Sequence, residues 1–140
     1  MKKTACYLSL SILISLIIIL SGCGTSPKKE IVGTWKAIDV IADIDSTSIR
    51  PEALETTINM YLSYSFEFYE NNSMNVMASG NTFAGRWKYN EDENLIKIRL
   101  ENSSSKEFSP LGELKDGQII NLNKTGLGDI TVIYEKVELE

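Results

Sequence analysis

From residue 31 onward, apolar and polar positions mostly alternate with period two, and turn signals interrupt them every 8 to 12 residues. That pattern predicts an antiparallel sheet folded as a sandwich or barrel. A first strand is expected over residues 33–41. Tyr64, Phe66 and Phe68, preceded by Leu62, alternate with Ser63, Ser65, Glu67 and Tyr69 in the clearest half-buried strand of the chain. Asn71, Asn72 and Ser73 turn it back into residues 74–78. Ser79, Gly80 and Asn81 lead to a strand over 83–89 with Gly85, Trp87 and Tyr89 on one face.

A polar loop at 91–94 precedes residues 95–100, where Ile96, Ile98 and Leu100 alternate with Lys97 and Arg99. Residues 107–114 resume less regularly around Pro110, and Lys115, Asp116 and Gly117 supply a turn with an Asp-Gly pair. Residues 119–123 and 130–137 follow, the last with Ile130, Val132 and Tyr134 facing one way. The expectation is about eight strands.

One segment departs from this period. Between residues 51 and 62, Leu54, Ile58, Tyr61 and Leu62 recur at helical spacing, and Pro51 suits a first helical turn. A short amphipathic helix is expected there, either plugging one end of the barrel or forming a lid over a ligand mouth.

The N-terminus follows different rules. Lys2 and Lys3 precede a mostly apolar run of 16 residues, 5–20, interrupted by Ser9, Ser11 and Ser15. A spanning helix needs about 20 apolar residues, so a cleaved export signal is the expected reading. Leu20, Ser21, Gly22 and Cys23 close it, two small residues after an aliphatic one and before a cysteine. This tetrad resembles the lipobox of bacterial lipoproteins. The resemblance implies removal of residues 1–22 and a diacylglyceryl group on the Cys23 thiol, often with a further acyl chain on its amine. A lipid-anchored protein on the extracytoplasmic face of the cell membrane follows, or of the outer membrane in a host with two. Residues 23–30 then form the lipidated terminus and a polar linker, and 31–138 the barrel domain.

Composition narrows the chemistry. Cys6 lies in the leader and Cys23 is the anchor, so the remaining 118-residue chain has no cysteine left for a disulfide, metal site or nucleophile. Removing Lys2 and Lys3 from 14 basic residues leaves 12 against 19 acidic, a net of −7. That balance disfavours nucleic acid and anionic headgroups as partners of a basic face. With no histidine in the chain, Ser-His-Asp and Cys-His nucleophiles and His-based zinc sites are impossible.

A calcium loop starting at Asp43 fails because Ser48 and Leu54 replace the required glycine and glutamate. Ser103 with Lys106, and Lys124, Thr125 and Gly126, spell two motifs of penicillin-recognising enzymes. Ser103, however, falls in a polar break between strands rather than on a helix. No enzyme activity, metal or cofactor is expected.

At Gly33, Thr34 and Trp35 the chain acquires a family likeness. A Gly-x-Trp triplet opening the first strand of a small all-β chain resembles the lipocalin superfamily, especially the short lipocalin-like domains of bacterial lipoproteins. Gly85, Arg86 and Trp87 repeat the triplet 52 residues later. The resemblance implies an all-β, eight-stranded, antiparallel up-and-down barrel with one short helix between its first and second strands. It also implies a tryptophan packed across a closed base. Where the classical family covers that ring with an arginine, the last strand here offers Lys136, which can make a cation–π contact but not a planar stack.

Two functions remain open. In one, Trp35, Tyr64, Phe66, Phe68, Trp87 and Tyr89 line a site for a small apolar or amphipathic ligand. In the other these rings fill the lumen, and the exterior binds an envelope protein or inhibits an extracellular enzyme.

Overall fold

The computed structural model describes residues 26–45, 47 and 49–138. The expected leader, the Leu20 to Cys23 tetrad and the anchor Cys23 lie outside the described residues.

Eight strands run in chain order: β1 (Gly33–Ile44), β2 (Ser65–Phe68), β3 (Ser73–Ala78), β4 (Asn81–Asn90), β5 (Leu95–Leu100), β6 (Ser109–Lys115), β7 (Gln118–Thr125) and β8 (Gly128–Lys136). Each pairs antiparallel with the next, and β8 returns to β1, closing the barrel. The expected lipocalin-like architecture, eight strands up and down with a helix in the first connection, is the one observed. That helix, Pro51–Leu62, spans the expected residues. The following strand is shorter than alternation suggested, because Leu62 ends the helix and the ladder begins at Ser65.

A second helix was not expected. Pro27–Ile31 forms a five-residue helix, α1, so Pro51–Leu62 is α2. Pro27 occupies the first turn, where its missing N–H costs nothing. Ile31 ends α1 fully buried. Of the residues read as linker, those from Pro27 onward are helical and lead into the buried Ile31.

The two barrel ends differ. The base gathers the starts of β1, β3, β5 and β7 with the ends of their partners, and α1 closes it. There Trp35 Nε1 donates to the Ile31 carbonyl at 2.7 Å, and Trp87 Nε1 to the Tyr69 carbonyl at 3.0 Å. Lys136 straps the base from outside, its Nζ donating to the Glu30 carbonyl at 2.8 Å while lying 5.9 Å from the Trp35 ring centroid. Gly33, at φ +132°, leaves room for it, because a Cβ there would sit 2.6 Å from Lys136 Cε.

At the other end lies α2. None of its residues is buried; Leu54, Ile58 and Tyr61 are half-buried and Leu62 is exposed. The plug of this barrel is therefore α1 at the base, while α2 rests on the rim beside β1.

A bulge between Ala37 and Asp39 resets the alternation of β1. Before it, Trp35 and Ala37 face inward; after it, Val40, Ala42 and Ile44 do. Ile38 and Ile41 are turned outward, 49% and 53% exposed.

Candidate functional site

Four of the six aromatic residues expected to line a ligand site make up the core instead. Trp35, Phe66, Phe68 and Trp87 are each no more than 3% exposed. Phe68 meets Trp87 edge-on at 5.4 Å between centroids, Phe66 lies 6.0 Å from Phe68, and Phe66 meets Tyr134 edge-on at 5.1 Å. Rings at these separations are in contact and pack against one another. Met74, Ile96, Ile119 and Val132 complete the packing around them.

Tyr64 and Tyr89 stand at opposite ends. Tyr64 is half-buried at the helix end, edge-on to Tyr61 at 5.9 Å. Tyr89 is half-buried at the base, its hydroxyl bonded to Asn94 Oδ1. The six residues thus form no single pocket wall.

Burial of Tyr134 pushes its phenol well above the ordinary value, and the nearby Tyr64 and Tyr61 add to the shift. On the outer wall, a hydrogen bond from Lys97 holds the Glu93 carboxyl below its usual range. Among the described residues, no group of three or more His, Cys, Asp or Glu side chains could hold a metal ion.

A different feature emerges between β6 and β7. Their ladder comprises only Glu113 with Ile120, Leu114 with Ile119, and Lys115 with Gln118. Beyond Ile120 the strands diverge, although β7 stays paired to β8 as far as Thr125 and β6 to β5 as far as Ser109. A cleft of about 500 Å³ fills the gap, lined among others by Pro110, Leu111, Gly112, Asn121, Leu122 and Asn123.

Each part of the cleft has a local cause. Proline at 110 has no N–H to offer β7. A register shift between Ile96 and Lys97 places Gly112 opposite Ile96 and Pro110 opposite Lys97, so Leu111 is the extra residue of a bulge. Gly112 marks where divergence starts: a Cβ there would lie 2.6 Å from the Ile120 carbonyl oxygen. On β7, Asn121 and Asn123 take inward positions, opposite Val132 and Ile130, and Asn123 donates its side-chain amide to Asn121. Polar side chains therefore occupy the inner face where the wall opens.

Outside, the cleft runs into an apolar strip. Leu122 and Ile41 both pair with Thr131 of β8, so they share one cross-strand row on the outer face. Leu122 is 54% exposed and Leu127, in the β7 to β8 turn, 48%. Sequence reading noted the irregularity around Pro110 but gave these residues no role. The inward asparagines of β7 were the available signal.

No family model matches the chain, and no curated protein does. Among solved structures, the crystal structure of a DUF4847 family protein from Bacteroides vulgatus is similar, with a TM-score of 0.49 and 10% sequence identity, over 80% of this chain and 99% of that one. The two motif coincidences set aside above fall in separate places: Ser103 and Lys106 in the loop after β5, Lys124 to Gly126 at the end of β7 and its turn.

Proposed function

We propose that this chain is a membrane-anchored extracytoplasmic lipoprotein acting as a non-catalytic protein-binding module, and that it takes an extended segment of an envelope protein along the cleft between β6 and β7. The observation that carries this reading is the early end of the β6 to β7 ladder. Two strand edges there offer backbone donors and acceptors, and strand addition supplies affinity through such groups while neighbouring side-chain pockets supply specificity. Leu122 and the strip leading to Ile41 give an incoming strand apolar surface. The filled base supports the same reading, since it leaves the wall rather than the lumen for recognition.

A photo-cross-linking residue at position 122 in living cells tests it. The expected result is a discrete protein adduct at 122 and none at Thr82, an exposed outward position on β4. A second reading draws on the helix end, where Val40, Ile44, Phe83, Ile98 and Leu100 are only half-buried and would suit a small apolar ligand. Absence of an adduct at 122, with a stoichiometric apolar molecule in native mass spectra of protein from its host, would replace the first reading by the second.

A further inference from the structure

The outer face of β4 and β5 gathers cations in a chain whose overall balance is acidic. Arg86 pairs directly with Arg99, and Lys88 with Lys97, so two cross-strand pairs oppose like charges. Such pairs cost stability. Lys97 is offset by Glu93 at 2.6 Å; no ion pair among the described residues offsets the two arginines.

Arg99 is nonetheless held in place. Its Nη1 donates to the Lys106 carbonyl at 3.0 Å, and its guanidinium carbon lies 5.0 Å from the Phe108 ring centroid, which Lys88 Nζ approaches at 4.6 Å. Between this face and the loop after β5 lies a groove of about 500 Å³, lined by Arg86, Arg99, Lys106, Ser103, Ser105 and Glu101 among others. The Ser103 hydroxyl oxygen accepts the Ser105 N–H and that of Ser105 accepts the Glu107 N–H, both at 3.2 Å, which leaves each hydroxyl proton free to donate.

We infer that this groove binds a phosphoryl group, with Arg86 and Arg99 as opposed guanidinium donors, Lys106 as a point charge and the Ser103 and Ser105 hydroxyls as neutral donors. Guanidinium forks match phosphate oxygens two at a time, and a tetrahedral anion uses more donors than a planar carboxylate can. A bound dianion would turn the repulsion between the two arginines into a shared attraction. Glu101 opposes the anion and keeps affinity modest.

The loop that rims the groove joins β5 to β6 at the end of the barrel away from α1, while Arg86 lies mid-wall, opposite Ser73 and Arg99. A chain tethered at the N-terminal side of α1 would turn that loop from the membrane, so the phosphoryl group comes from a soluble phosphate or ester rather than from lipid headgroups.

Titration calorimetry of the full chain in neutral detergent, with inorganic phosphate against chloride at matched ionic strength, tests this. Saturable one-to-one phosphate binding is expected. Affinity should fall at least tenfold in R86Q/R99Q and severalfold in R86K/R99K, and stay unchanged in K124Q. In chloride, R86Q/R99Q should melt at or above the wild-type temperature, an outcome that a merely structural role for the arginines would reverse. Equal responses of wild type and R86Q/R99Q, or phosphate acting no differently from chloride, would mean an adventitious ion only and overturn the site. Binding to phosphatidylglycerol vesicles over phosphatidylcholine vesicles, lost in R86Q/R99Q, would overturn the soluble source.

Discussion

Trp35 shows how one residue can be read correctly and still mislead. Its place in a Gly-x-Trp triplet marks the closed base, and the ring is indeed buried there. The partner of its indole N–H was not legible, because the Ile31 carbonyl is presented by a five-residue helix too short to leave a periodic trace. Replacing Trp35 by Phe keeps most of the apolar contact but leaves that buried carbonyl unpaired, so a loss of about 1–3 kcal/mol is expected in urea unfolding. Tyr134 has a different signature. Its folded-state pKa lies above the unfolded value of about 10, so its contribution is complete below pH 10 and is lost as pH rises beyond it. Stability should fall by up to about 1.4 kcal/mol per pH unit above pH 10 from this group. Melting temperatures of wild type and Y134F, compared at pH 9 and pH 11, check this: the alkaline drop should be smaller in the variant.

At the scale of elements, patterning located every strand and α2, because half-buried strands and an amphipathic helix leave periodic traces. It missed what breaks a period. The β1 bulge adds one residue, which turns Ile41 to solvent where unbroken alternation would have put it inside, and α1 is too short to show a repeat. The cleft was illegible for a related reason: it depends on where two strands stop pairing, and Pro110 hinted at an irregularity without giving its extent. Gly112 permits the final close approach of β6 to β7. Gly112→Ala would force the Ile120 carbonyl away and shorten an already brief ladder, with an expected cost of about 1–3 kcal/mol in chemical denaturation. Faster amide hydrogen exchange should accompany it at the ladder-end pair Glu113 and Ile120, with β3 and β4 unaffected. Uniform acceleration across the barrel would instead mean that the ladder end is not locally defined.

For the whole molecule, the helix at the base sharpens what an anchor at Cys23 would do. Only Gly24, Thr25 and Ser26 separate Cys23 from Pro27, a reach of at most about 14 Å between the two, so the base would face the bilayer closely. The cysteine content makes this measurable, since a mature chain with Cys23 acylated has no other thiol to compete with a probe. A dye on Asp116→Cys, in the base turn between β6 and β7, should be quenched by headgroup-level quenchers in intact membranes. The same dye on Ser79→Cys, in the turn between β3 and β4 at the opposite end, should not. Cys23→Ala should leave uncleaved precursor or release soluble protein and abolish lipid labelling. Persistent labelling in that variant would refute the anchor, while equal quenching at 79 and 116 would refute the orientation but leave the anchor standing. The distinction matters for partners: with the base held down, both the cleft wall and the cationic groove remain open to the aqueous side.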